Sequence, residues 1–222
     1  MVPARLPARG GPGRESMPEV KVIFWDLGGV LVPFSHSVLW RNFLRLLPLG
    51  VSLRWFWRKD ALQAKLAGPL DDFEKGLCSF ADLKLAVDKS LGVTLETESF
   101  REAWNDIFGP AGETAELARE LREKYPSYVL SNTNAEHLAR VRRDNPSLEF
   151  MSGWIPSFEV HALKPGREFY EKALAIAGAE ARDCLLIDDR EENVEGAAAL
   201  GMQTVLYRNT KDLKNKLKTL LA

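Results

Sequence analysis

Val20-Lys21-Val22-Ile23-Phe24-Trp25-Asp26-Leu27-Gly28-Gly29-Val30-Leu31 is the stretch that decides the fold. Residues 20–25 are β-branched and aromatic, as a buried strand requires. The run ends on a single carboxylate, Asp26, followed by two glycines that allow a tight turn and a close backbone approach to a ligand. A buried strand ending in one acid and Gly-Gly adds little to stability. It marks the rest of the chain as a frame that brings other groups to Asp26.

Outward from that strand, residues 35–109 read as helices only. Leu39, Trp40 and Phe43 define a helix at 36–47, and a second spans 52–67. Ser79, with Asp82 three residues on, forms an N-terminal box for a helix carrying Phe80, Leu83, Val87 and Leu91, which Gly92 stops. Phe100, Trp104, Ile107 and Phe108 share one face at 97–108. Adjacent aromatics cannot share a helix face, so Trp55, Phe56 and Trp57 divide between the bundle core and the cleft or solvent.

Beyond Gly112 the pattern alternates: helix 113–124, strand 127–131, helix 134–143, a weak strand within 154–160, helix 166–177, strand 183–187, helix 191–200, strand 203–207 and helix 211–221. Such alternation predicts βαβ units and a parallel sheet. The expected architecture is α/β, a three-layer Rossmann-like core (17–33 and 111–222) with a helical cap at 34–110 inserted after the first strand. Residues 1–16, rich in Pro, Gly and Arg, read as a disordered leader or as the consequence of an early start ahead of Met17. An organelle transit peptide is the alternative.

Composition excludes several classes. The chain has 222 residues, is 45% hydrophobic and carries a net charge of -1, so no basic field draws it to nucleic acid or an anionic membrane. No apolar run approaches the ~18 residues of a membrane span. Cys78 and Cys184 lie far apart, which argues against a disulfide framework and fits a reducing cytoplasm.

Three predicted strands end in polar residues: Asp26, Ser131-Asn132-Thr133-Asn134 and Asp188-Asp189. In an open parallel sheet these ends share one rim, where ligands bind. Lys164, before Pro165, precedes a helix that starts on the same rim. Adjacent carboxylates repel and imply a cation. Asp26 and Asp189 offer hard oxygen ligands that suit Mg²⁺. Ser131 and the backbone amide of Asn132 can hold phosphate oxygens, and Lys164 can neutralise them. Together they suggest phosphoryl transfer, with an Asp able to act as nucleophile. His36, His137 and His161 show no paired-ligand spacing for zinc and read as surface or loop residues.

Asp26-Leu-Gly-Gly-Val, Val-Leu-Ser131-Asn-Thr-Asn, Leu-Lys164-Pro and Leu-Leu-Ile-Asp188-Asp189-Arg-Glu-Glu-Asn193, in this order, resemble the four motifs of the haloacid dehalogenase-like hydrolase superfamily. Asp-Leu-Gly-Gly, Ser-Asn-Thr-Asn, Phe73-Glu74-Lys75-Gly76 and Trp104 look most like the branch with bacterial glucose-1-phosphate phosphatase and the N-terminal phosphatase domain of soluble epoxide hydrolase. The resemblance implies Asp26 as nucleophile and metal ligand, and Ser131, Asn132 and Lys164 on the phosphate. Asp189 would be the motif-four ligand to Mg²⁺, with Asp188 acting mainly through metal-bound water. The substrate would be a small phosphorylated metabolite, and the chain a monomer or homodimer.

One position departs from the pattern. Most phosphatases of the superfamily carry a second Asp two residues after the nucleophile, where this chain has Gly28. The Gly28 carbonyl remains for the metal, but the side chain that protonates the leaving group is absent. Such an acid contributes roughly 10²–10⁴-fold. Either the leaving group is good, as in an anomeric, acyl or aryl phosphate, or water or a cap residue donates, or the protein is slow or inactive. The rival readings are a metal-independent 2-haloacid dehalogenase, a phosphonatase, and a non-catalytic binding protein.

Overall fold

The computed structural model describes residues 19–221. The leader expected at 1–16 and the alternative start at Met17 lie outside them.

Five strands, β1 (Val22–Trp25), β2 (Ser127–Ser131), β3 (Gly153–Pro156), β4 (Cys184–Asp188) and β5 (Gln203–Leu206), form one parallel sheet in the order β3-β2-β1-β4-β5. Alternate residues of a strand face opposite sides, and the burial follows that period. Ile23, Trp25, Val129, Leu185 and Ile187 enter one apolar cluster, whereas Val22, Phe24, Leu130 and Leu186 enter another. The first cluster is covered by α6 (Glu113–Leu121), α7 (Ala135–Asp144) and α11 (Thr210–Leu220), the second by α9 (Arg167–Ala177) and α10 (Glu191–Ala198). The result is the expected three-layer α/β core. Strand order turns between β1 and β4, which places a crevice at their carboxyl ends.

Between β1 and α6 lie α1 (His36–Arg45), α2 (Leu49–Phe56), α3 (Lys59–Glu74), α4 (Phe80–Leu91) and α5 (Thr97–Asn105), packed around their own apolar cluster. Ser79 and Asp82 form the expected reciprocal box at the start of α4, and Gly92 ends it in the left-handed region at φ 73°. The single helix expected at 52–67 is two helices. Arg58 leaves helical geometry at φ -124°, ψ 30°, and the chain turns so that Leu62 and Leu66 enter the same cluster as Trp55. Of the aromatic run, Trp55 is buried, while Phe56 and Trp57 are 55% and 81% exposed. The weak strand within 154–160 divides into β3 and a short helix, α8 (Ser157–Val160).

Candidate active site

Asp26 stands one residue beyond β1 and donates its N–H to the Ile187 carbonyl at 2.9 Å, which continues the sheet past the last paired residue. Asp188 ends β4 and is still paired, opposite Leu206, so its side chain is fully buried. Asp189 lies one step outside the ladder and is exposed. Ser131 ends β2, and Lys164 arrives from the loop between α8 and α9.

The Lys164 ammonium is the hub. Its Nζ donates to Asp26 Oδ1 and Asp188 Oδ2, each at 2.6 Å, and to the Leu130 carbonyl at 3.0 Å. All three of its protons are therefore used. The lysine is placed from behind by Asn132, whose amide bonds the Lys164 backbone twice, at 2.8 Å in each direction. The other Asp188 oxygen accepts from Asn193 Nδ2 at 2.9 Å and from the Arg190 N–H at 3.0 Å. Tyr170 donates to the Asn193 carbonyl at 2.7 Å and anchors that residue. Asn193 belongs to the fourth motif, but its spacing alone assigned it no role, and Tyr170 gave no signal at all. Ser131 Oγ has only a 3.5 Å contact to the Asn132 carbonyl, too long to hold the hydroxyl, so it is available to a ligand.

Burial pushes the Asp26 carboxyl up to about 6, with Lys164 opposing and Asp188 and Asp189 adding to the rise. Asp189, exposed as a residue but with its carboxyl partly shielded from water, is raised by that partial desolvation first and by Asp188 next. Burial alone would lower Lys164, but Asp26 and Asp188 outweigh it and hold the ammonium above its ordinary value. Carboxylate oxygens of Asp26, Asp188 and Asp189 lie within 4.8 Å of one another. Three hard, crowded anions of this kind form a donor set for a small divalent cation. Two of the three are held toward protonation by burial and, after it, by the neighbouring carboxylates, and a cation would favour their charged forms. Among the described residues no other group of this kind includes a histidine. His36 opens α1, and His161 bonds the Lys75 carbonyl through Nδ1 at 2.7 Å.

His137 is not at the surface. It is buried on α7, stacked on Trp104 of α5 with ring centroids 5.0 Å apart. Nε2 donates to the Trp104 carbonyl at 3.0 Å, and Nδ1 accepts from Asn134 at 3.1 Å, so the neutral ring is fully satisfied. Burial lowers its pKa to about 4. It fastens the helical segment to the loop after β2.

The two glycines differ. Gly29 sits at φ +88°, and a Cβ there would lie 2.3 Å from Asp189 Oδ2. Gly28 has ordinary room, its nearest neighbour being Phe34 Cβ at 3.4 Å. Gly29→Ala is expected to cost about 1–2 kcal/mol in backbone strain and to displace the Asp189 carboxylate. Thermal melts with and without Mg²⁺ check this: the variant melts lower and gains less from the ion than the parent.

A D-ribitol-5-phosphate phosphatase of Bacteroides thetaiotaomicron is 22% identical over 91% of this chain and 98% of its own. Flavin mononucleotide hydrolase 1 of Arabidopsis thaliana is 39% identical over 73% of this chain and 66% of its own. A crystal structure of a family enzyme from B. thetaiotaomicron, in complex with magnesium and inorganic phosphate, superposes with a TM-score of 0.75 at 26% identity, covering 87% of this chain and 98% of that one. The family model for haloacid dehalogenase-like hydrolases matches residues 20–201, and the chain, with its four motifs gathered on one rim of the sheet, belongs to that family.

Proposed function

We propose that this hydrolase is a Mg²⁺-dependent phosphatase acting on a small phosphorylated metabolite through an aspartyl-phosphate on Asp26. The observation that carries the reading is Lys164 held between Asp26 and Asp188, with Asp189 beside them and a free Ser131 hydroxyl on the same rim. A dehalogenase requires neither the third carboxylate nor a phosphate grip. The phosphatase names of relatives, and the magnesium and phosphate bound by a structural neighbour, support the same choice.

In this reading Lys164 fixes the rotation of the Asp26 carboxylate and screens it from the incoming anion. Ser131 Oγ and the Asn132 N–H hold phosphate oxygens, which sets the phosphorus in line with Asp26. Asn193 and the Arg190 N–H hold Asp188 so that it keeps Lys164 in place. Asp26, Asp189 and the Gly28 carbonyl would hold Mg²⁺, with Asp188 reaching it through water. Bound there, the ion offsets the repulsion between phosphate and carboxylate. Helices α1–α5 act as the cap over the rim and exclude bulk water.

No helix among the described residues is long and apolar enough to cross a membrane, and both cysteines are free. We place the enzyme in the cytoplasm, as a monomer or homodimer without nucleic-acid or membrane partners. A panel of sugar, acyl, aryl and nucleotide phosphates, run beside 2-haloacids, tests the reading. Phosphate release with Mg²⁺ that EDTA abolishes is expected. Halide release that survives EDTA would overturn it.

A further inference from the structure

Gly28 leaves the leaving-group oxygen without a proton donor on the β1 loop, and Phe34 packs over the space above it. For a poor leaving group, a side-chain donor then comes from elsewhere on the cleft wall. Glu74, the last residue of α3, is held against the loop that carries the phosphate-binding candidates. Its backbone carbonyl accepts from Ser157 Oγ at 2.6 Å, and that hydroxyl accepts the Thr133 N–H at 2.9 Å. The next carbonyl, of Lys75, accepts from His161 Nδ1 at 2.7 Å. Gly76 then lies so close to α8, at φ +68°, that a Cβ would stand 2.4 Å from the Phe158 carbonyl oxygen. Three successive residues of the helical segment are thus pinned to the core beside Ser131–Thr133.

The Glu74 carboxyl itself makes no hydrogen bond and no ion pair among the described residues. A partly buried, unpaired acid costs stability, which function has to justify. On this geometry, and resting on the phosphatase reading above, we propose that Glu74 donates the proton to the leaving-group oxygen. Asp26 attacks phosphorus, the bond from phosphorus to the ester oxygen breaks, and that oxygen takes the Glu74 proton and departs as the alcohol. Water then attacks the aspartyl-phosphate. Its proton returns to the Glu74 carboxylate, inorganic phosphate leaves, and Asp26 is regenerated.

The protonation state fits the task. Burial first, and Asp71 one turn back second, raise Glu74 to about 7 against the opposing charge of Arg190. The remaining charged groups on the adjoining segments are Asp72 and Lys75 beside Glu74, and Glu159 and His161 of α8 and its cap. An acid near pH 7 serves both donation and recovery of the proton. His36, the other titratable group near Asp189, fits less well, because burial lowers it below the ordinary histidine value and leaves it neutral.

The test compares Glu74→Gln with the full-length parent, both with Mg²⁺, on p-nitrophenyl phosphate and on a polyol 5-phosphate. The first leaving group needs no proton and the second does. We expect about 10²-fold lower kcat/KM on the polyol ester, little change on the aryl ester, and loss of the alkaline limb near pH 7 for the polyol ester only. His36→Gln serves as the control and keeps both activities. Equal losses on the two esters, no loss on the polyol ester, or a parent active on the aryl ester alone would each overturn the assignment while leaving the phosphatase standing. A parent that hydrolyses neither ester removes the phosphatase reading and this inference together. Equal melting temperatures for parent and variant establish that the carboxyl, not the fold, has been changed.

Discussion

Asp26→Asn is expected to lower turnover by about 10⁴-fold or more, the scale on which loss of a covalent nucleophile acts, while the protein folds as before. The amide has nearly the carboxylate's shape, and its oxygen can still accept from Lys164, which approaches Oδ1 at 2.6 Å in the parent. The backbone N–H of residue 26 keeps its bond to Ile187. What is lost is the negative oxygen that attacks phosphorus. Removing one of three crowded anions also relieves repulsion, so the melting temperature without metal should equal or exceed that of the parent. The gain in melting temperature on adding Mg²⁺ should shrink. Initial rates and melts on one preparation separate the two effects. A variant with normal turnover would remove Asp26 from the chemistry.

Lys164→Met is expected to damage the fold as well as the reaction. The ammonium is almost entirely buried and bonds two carboxylates and a carbonyl. Methionine fills much of the space but leaves Asp26 and Asp188 facing each other without a cation. Breaking a buried ion pair from one side costs about 3–5 kcal/mol. The sign with pH follows from the carboxylates. The folded pKa of Asp26, already raised to about 6 with Lys164 opposing the rise, climbs further once that lysine is gone. A group raised in the folded state loses stability as pH climbs through that value, so the deficit against the parent should be small near pH 5 and widen towards pH 8. Urea midpoints at the two pH values, with and without Mg²⁺, check this. The ion should recover part of the loss, because it binds the folded chain and supplies the missing charge. A deficit that is the same at both pH values would contradict the ion-pair account.

The parallel core could be read from the chain because each strand carries its own signal. Ile23 through Trp25, Val129-Leu130 and Leu185 through Ile187 are apolar on both faces, as a sheet covered twice requires. The polar residues that follow them reach one rim by topology alone, so Asp26, Ser131, Lys164 and Asp188 could be brought together before any distance was known. The difference between Asp188 and Asp189 could not. It depends on where the β4 ladder stops, and pairing with Leu206 leaves Asp188 inside and Asp189 outside. The break at Arg58 was hidden because periodicity on either side is helical, and only packing of Leu62 and Leu66 requires the turn. Tyr170 and Glu74 are placed by contacts across long sequence separations, Tyr170 by its bond to the Asn193 carbonyl and Glu74 by the bond of its backbone carbonyl to Ser157. His137 shows the same limit, since its role is set by Trp104 stacking on it from α5.

The central claim is a covalent phosphoryl group on Asp26. Quenching the Mg²⁺-loaded enzyme in acid during turnover of an aryl phosphate, then mapping the acid-stable, hydroxylamine-labile phosphoryl group by mass spectrometry, tests it most directly. The account predicts the adduct on the peptide that carries Asp26 and nowhere else, with none in Asp26→Asn. Steady turnover with no adduct on that peptide, or an adduct that persists in Asp26→Asn, would contradict it.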